Sequence, residues 1–519
     1  MKKIYALFLF FFLPLCMFAG TVVKGITYSY YYGGKACVES ADKDITTAEI
    51  LTHVTIDGST CEVVKIRFGA FYNCTKLEKV IIPNSITEIG DHSFSNCTSL
   101  KNITIPNSVK TIEKEAFTGR TGLTEIVIPN GVTELNSDLF SECSNLRNVV
   151  IPNSVNKIGN RAFEKCSNLQ NIVIPNSVDT IGVDAFSRCE NLSNIAFPNS
   201  MKSIAVGAFG LCNKLTNVVL PNGLKAIGAS TFYACENLEN VVIPHSVELI
   251  GGGAFGSCPK LKRVEIPQNG NLKKIDAYAF DNCTSLAHIE LPQNLVEIAW
   301  RAFESSGLVS IKIPEKVKSL GQDLFRYCPN LTDVYIGDGV TTMGDNIFDR
   351  CDNLTTVRLG NNLTELPYMA FFYCPKLKTV TEGNNIVSIG KKAFKLCESL
   401  ETFKLSDNVR YVGDEAFSGC VKLQMEKLPT KMEYMGSGAF SNVQIAHVVI
   451  PEKITRIGTA TFAGCKKLES VVIPNTVKWI DGIAFAGCSA LKSIKIPESV
   501  KNIGEETFEA CLSLKEVIL

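Results

Sequence analysis

Leu146-Arg-Asn-Val-Val-Ile151-Pro-Asn-Ser-Val155-Asn-Lys-Ile158-Gly159-Asn-Arg-Ala162-Phe163 is followed by Cys166 and then by Leu169, where the phrase begins again. Its consensus, L-x-x-V-x-I-P-N-S-V-x-x-I-G-x-x-A-F-x-x-C-x-x, has a period of 23 residues. A fixed period of this size is the mark of a stacked solenoid. The apolar residue before the proline recurs from Ile82, Ile105 and Ile128 through Ile473, Ile496 and Leu519, in about twenty copies. The phenylalanine keeps the same beat from Phe71 to Phe508. One copy carries a two-residue insertion near Gly270. Two copies, at Ser306-Gly-Leu308 and Val443-Gln-Ile445, run one residue short and lack the cysteine.

Each copy has a physical reading. Val149 and Ile151 alternate at period two, as a half-buried strand requires. Pro152 and Asn153 end the strand and turn the chain. Val155 to Ile158 forms a second short extended segment, and Gly159 permits the next bend. The spacing Ala162-Phe163-x-x-Cys166-x-x-Leu169 is helical but too short for a helix, so it predicts a single 3₁₀-like turn. One copy cannot bury enough apolar surface to offset its own ordering, so neighbours must stack. The fold class is a mainly-β, curved repeat solenoid with an N-terminal β cap. At roughly 4.8 Å per stacked strand it forms an arc on the order of 100 Å long.

L-x-x-V-x-I-P…I-G-x-x-A-F-x-x-C resembles the BspA-like leucine-rich repeats of bacterial cell-surface proteins. The resemblance covers about residues 60–519. It implies a leucine-rich-repeat solenoid and, less specifically, an exported surface protein that binds other macromolecules, because a fold does not by itself fix a function.

The reading divides the chain into a signal peptide (1–19), a β-rich cap (20–65) and the solenoid (66–519). Met1-Lys-Lys opens a short basic start, Ile4 to Phe18 is apolar, and Ala19-Gly20 supplies small residues for cleavage after Ala19. Lipoprotein anchoring at Cys16 ranks second, because Leu15 is too large for a good lipobox. Beyond this segment no stretch is apolar for long enough to span a bilayer as a helix. Ile26-Thr-Tyr-Ser-Tyr-Tyr-Tyr-Gly-Gly and Cys61-Glu-Val-Val-Lys-Ile66 predict strands around a glycine turn. Such a cap blunts the open edge of a solenoid. No cap-like or cell-wall-sorting stretch follows Leu519. Either more chain belongs there or the last strand edge is exposed.

Twenty cysteines in an exported protein would ordinarily indicate disulfides. Seventeen of these, however, share one repeat position, and Arg120, Ser306 and Val443 interrupt that column into runs of two, seven, five and three. Three odd runs would each strand a thiol. The column therefore reads as a buried thiol ladder in which Cys is a small apolar filler. Cys37 and Cys61, in the cap, leave both a disulfide and free thiols open.

Formal net charge is zero, with 52 basic and 52 acidic residues, so the chain has no basic surplus for nucleic acid. His53, His92, His245, His288 and His447 are scattered, and no CxxC or HExxH spacing points to a metal. Gly251 to Gly256 matches GxGxxG literally, but only as I-G-x-x-A-F with extra glycines. Acidic pairs such as Glu113/Glu115 lie in turns. Asn-x-Ser/Thr triplets, among them Asn73, Asn96 and Asn191, fit the turn preference of Asn. The reading is of a protein that is not an enzyme, with no cofactor and no metal.

The informative surface is the open face of the main sheet. If Val149 and Ile151 point inward, Asn148 and Val150 point outward. The outward Val150 column runs Ile81, Thr104, Val127, Val150, Val173, Ala196, Val219, Val242, then Glu265, Glu290, Lys312, Tyr335, Arg358. Beside it run Asn102, Glu125, Asn148, Asn171, Asn194, Asn217 and Asn240, then Arg263 and His288, an asparagine ladder whose amides have the geometry to bond along the stack. A contiguous exposed apolar stripe marks an interaction surface. The expectation is binding through this concave face, centred on the valines and asparagines, with Glu265, Glu290, Tyr335 and Arg358 as its charged half. Expected partners are extracellular or cell-surface proteins, with glycans as a second class. The alternative is a structural, self-associating surface protein.

Overall fold

The computed structural model describes residues 20–119 and 122–519. The segment read as a signal peptide, with Cys16, and Arg120 of the cysteine column lie outside the described residues. The described chain is a helix-free β-solenoid of about 21 turns. Most turns contribute two short parallel strands and one bent segment, while the turns at Ile103 and Ile289 form no first strand. In the quoted copy the strands are Asn148–Val150 and Lys157–Ile158. The first pairs with Glu125–Val127, placing Val127 beside Val150, and the second pairs in register with the turns before and after. Both ladders are segmented: pairing along the first runs for two to four strands and then pauses. Strands of three residues offer few ladder bonds, so small shifts between turns interrupt the pairing.

The third side departs from the 3₁₀ expectation. Alternate N–H groups of Arg161, Phe163 and Lys165 donate to carbonyls of the next turn, each at 2.8 Å. Those between them bond locally, Glu164 to Arg161 and Cys166 to Phe163, both at 3.1 Å. To aim every second N–H along the axis, Arg161 and Lys165 adopt φ of 53° and 59°. A 3₁₀ helix would spend all of these donors locally. The same two positions carry positive φ in turn after turn, in residues as different as Tyr278, Asp323 and Leu396.

Leu146, Val149, Ile151, Val155, Ile158, Phe163 and Cys166 are all buried in one continuous core. Consecutive phenylalanines stack face to face from Phe71 to Phe508, with centroids 4.9 to 5.9 Å apart. The cysteine column is both a filler and a donor. Cys166 Sγ donates to Phe140 O of the preceding turn at 3.2 Å, and Cys189 Sγ repeats this to Phe163 O. Each such carbonyl thus accepts from its own turn's cysteine N–H and from the next turn's thiol. All nineteen described cysteines are free thiols, Cys37 and Cys61 included. The serine of P-N-S-V is equally structural: Ser154 Oγ donates to Val132 O at 2.7 Å.

At the N-terminal end, Ile26–Tyr31 and Lys35–Ala41 pair as a hairpin, and Ser59–Ile66 joins its edge in parallel. Ser59–Ile66 also pairs with Glu88–Ile89, so this sheet continues directly into the second ladder. Thr47–Glu49 pairs with Lys79–Ile81 and supplies the first ladder with its initial rung.

Candidate binding face

Outward and inward positions of the first ladder fall where period two places them. Val149 is buried, while Asn148 and Val150 on either side are exposed. Val127, Val150, Val173 and Val219 are between 55 and 80% exposed, and Val242 is half-buried. Thr104 and Ala196 are the smaller members of the same column and are also exposed. Strand pairing sets Val127 beside Val150, Val173 beside Ala196, and Val219 beside Val242. The stripe is therefore a contiguous row of aliphatic side chains on adjoining turns.

In the neighbouring column, Asn240 Nδ2 donates to Asn217 Oδ1 at 2.9 Å, which is the axial amide bond. Asn194 and Asn217 instead turn their amides to the hydroxyls of Ser193 and Thr216. Asn148 and Asn171 stand exposed on their strands. Hydroxyl neighbours compete for the amides, so the ladder is local. A separate set of asparagines holds turns together: Asn168 and Asn191 donate to Ser144 O and Ser167 O at 2.7 and 2.8 Å.

The charged half has its own geometry. Arg263 pairs with Glu265 at 3.2 Å, and Glu290 lies exposed in extended chain outside any assigned strand. The register Lys312↔Tyr335↔Arg358 stacks a phenol between two cations. Lys312 Nζ lies 5.2 Å and the Arg358 guanidinium 4.3 Å from the Tyr335 ring centre. Tyr335 Oη donates to Glu315 at 3.2 Å, and burial together with that carboxylate raises its pKa. Asp338 holds the Asn361 N–H, which lowers its carboxyl pKa, and lies 3.9 Å from Arg358. A shallow depression of about 450 Å³ runs along Ser310, Lys312, Tyr335, Arg358 and Thr381. With both faces of Tyr335 covered, its ring orders the cations and is not itself a stacking platform.

Sequence reasoning missed a network on the bent third side. Asp323 and Asp349 are almost fully buried, and Arg301, Arg326 and Arg350 bridge them over consecutive turns. Arg301 Nε to Asp323 is 3.0 Å and Arg326 Nε to Asp349 is 2.9 Å. Tyr278, Trp300, Tyr327 and Tyr373 pack against these guanidinium groups. Burial raises the Asp349 pKa, opposed by Arg326. The available signal was a run of oppositely charged residues at these positions in consecutive copies, Asp281, Arg301, Asp323, Arg326, Asp349 and Arg350. Gly251 to Gly256, the literal GxGxxG, lies in turns with no helix after it among the described residues.

No described side-chain group has the composition of a metal site, and no described helix is long and apolar enough to cross a membrane. What the geometry defines is a repeat protein with long exposed columns, a helix-free leucine-rich-repeat solenoid. More narrowly, the chain belongs to the BspA type leucine rich repeat family, whose sequence model matches residues 48–170, 156–271, 254–378, 341–469 and 455–519.

Among solved structures, a leucine-rich repeat protein from Bacteroides ovatus shares 23% identity over 96% of this chain and 100% of its own, with a TM-score of 0.42. A leucine rich cell surface protein from Faecalibacterium prausnitzii shares 21% over 96% of this chain and 94% of its own, with a TM-score of 0.25. The pneumococcal vaccine antigen PcpA shares 15% over 97% of this chain and 99% of its own, with a TM-score of 0.31. These likenesses concern the fold. None of the curated proteins matches the chain.

Proposed function

We propose that the protein is exported and binds other macromolecules, in adhesion or host contact, through the outward columns of its first ladder. The observation that carries this reading is the valine row. Four large aliphatic side chains over half exposed, on nearby rungs of one ladder, cost solvation that a buried or smaller residue would avoid. The family and the composition of residues 1–19 support export. Affinity on such a face comes from area and a few central side chains, not from one cavity.

The test uses the chain from Gly20 onward and a variant with Val127→Glu, Val173→Glu and Val219→Glu. These sit on alternate rungs, so the new carboxylates do not stack directly on one another. Circular dichroism checks that both fold alike. Both are then used to capture proteins from extracellular-matrix and cell-surface extracts. A partner held by the parent and lost by the folded variant supports the reading. Equal capture by both overturns it. If the parent holds only further copies of itself, the structural, self-associating role replaces adhesion.

A further inference from the structure

The second ladder carries, near its C-terminal end, a row of aromatic side chains with an arginine that its earlier copies lack. The outward residue of these two-residue strands is Glu88, Thr111, Lys157 or Ser203 early in the chain. In four consecutive copies it becomes Tyr411, Tyr434, Arg456 and Trp479. Register sets Tyr411 beside Tyr434 and Arg456 beside Trp479. The three aromatic residues are 42 to 49% exposed.

Between the two pairs the ladder is interrupted. The sheet ending at Tyr434–Met435 and the one beginning at Arg456–Ile457 share no strand pairing among the described residues. The interruption falls where the copy is one residue short, at Val443. There a groove of about 350 Å³ opens, lined by Tyr434, Ser437, Thr455, Arg456, Thr459 and Asp481, among others.

Polar groups are paired along the row's edge. Tyr411 Oη donates to Glu433 at 3.1 Å, Tyr434 Oη to Asp414 at 3.4 Å, and Arg456 Nε to Asp481 at 2.8 Å. Lys453 and Lys391 neutralise Glu433 and Asp414. Each of the three carboxylates is thus paired with a cation, and Arg410 adds a further cation near Glu433.

We propose that this row binds a neutral glycan chain lying along the solenoid axis. The apolar faces of its sugar rings would rest on Tyr434 and Trp479, and its hydroxyls would meet the carboxylates, the Arg456 guanidinium and the threonine hydroxyls. A sugar ring has this division, a C–H face and a hydroxyl rim, and the row alternates aromatic faces with hydrogen-bonding groups in the same way. The three carboxylates standing on the row repel an acidic polymer where its rings would rest. A protein interface would exclude charged groups from its centre, whereas here a carboxylate stands at the hydroxyl of each tyrosine. Rungs spaced by about 4.8 Å suit a ligand that is itself a repeat of small units. The site lies on a different ladder from the valine columns, so either reading can fail without the other.

Trp300 and Trp479 are the only two tryptophans. In the otherwise intact chain with Trp300→Phe, fluorescence reports Trp479 alone. Cellohexaose, xylohexaose and mannohexaose are the neutral probes, and a heparin hexasaccharide is the acidic one. At least one neutral probe is expected to change the emission saturably, with the same affinity at low and high salt. Tyr434→Ala and Arg456→Ala, at exposed positions, should each weaken that binding about tenfold with unchanged melting curves. Saturation by the heparin fragment alone, with salt-sensitive affinity, overturns the proposal. So does the absence of a saturable change with every neutral probe, or parental affinity in Tyr434→Ala.

Discussion

The thiol column makes a quantitative prediction about reactivity. Cys258 is fully enclosed, its thiol donating to Phe232 O at 3.2 Å, and burial pushes its pKa up to about 12 from an ordinary 9.0. Cys97, Cys328 and Cys465 are pushed to about the same value, again first by burial. Only the thiolate attacks a disulfide reagent. At about pH 8 an ordinary thiol is roughly a tenth ionised and one at about 12 roughly a ten-thousandth, so ionisation alone slows reaction about a thousandfold. Enclosure adds to this, because the reagent reaches a buried sulfur only after local opening. The assay is the time course of an aromatic disulfide reagent on the native chain from Gly20, followed by the same reagent in guanidinium chloride. Cys511, the one described thiol that is not fully buried, should react first in the native protein. All nineteen thiols should react promptly once unfolded. Rapid reaction of many thiols in the native state would refute the enclosed, hydrogen-bonded column. Fewer than nineteen in the unfolded state would refute the free-thiol assignment.

Three further outcomes follow from the same geometry. Because the folded thiols ionise later than the unfolded ones, the unfolded chain binds fewer protons above about pH 9 and stability falls as pH rises from there towards about 12. Each thiol in a cooperatively opening segment removes about 1.4 kcal/mol per pH unit, so far-UV circular dichroism should show steep alkaline unfolding; a flat signal between about pH 9 and 11 would contradict it. Arg326→Ala leaves Asp349 buried beside Arg350 alone, at 3.9 Å, and should cost about 3–5 kcal/mol at neutral pH. Burial already raises the Asp349 pKa and losing Arg326 raises it further, so lowering the pH towards 4 should relieve the loss; denaturant melts at both pH values check the sign. Gly321→Ala places a Cβ 2.1 Å from Trp300 N, against backbone that cannot swing aside, and should cost about 1–3 kcal/mol by overpacking, read as a lowered melting midpoint.

The fold was legible because every copy meets the same demands with the same residues. Val149 and Ile151 must face inward, Pro152 must end the strand, and Phe163 must meet Phe140 and Phe186, so the period exposes the architecture before any coordinate does. The bent third side was not legible. Its ladder imposes positive φ at the positions of Arg161 and Lys165, and glycine fills eight of these forty positions, among them Gly207, Gly253 and Gly464, yet most copies hold other residues, arginine, tyrosine, aspartate and leucine included, so the signal is diluted. The hydrogen bonds along the axis override local preference there, as tertiary context does for propensity generally. The cysteine was half read. Its size and burial were plain from the column, but its role as a donor depends on the reach of Sγ to a carbonyl one turn back, which no spacing encodes. Ser306 illustrates the difference: its shorter side chain contacts Cys328 Sγ at 3.3 Å.

The candidate surfaces divide along the same line. Outward columns on the first ladder follow from period two, so Val127 to Val242 and the Lys312–Tyr335–Arg358 stack could be placed from register alone. The row from Tyr411 to Trp479 occupies an outward position whose residue changes from copy to copy, and its groove lies at a break in the ladder. A repeat protein acquires distinct surfaces where its copies differ, and the differences stand out only against a known geometry. Regularity therefore specifies the scaffold, while the departures at Val443, Asp349 and Trp479 are the places where this chain is individual. The ladder break between Tyr434 and Arg456 joins both: it sets an aromatic wall and a guanidinium wall across one groove, the asymmetry a directional ligand requires.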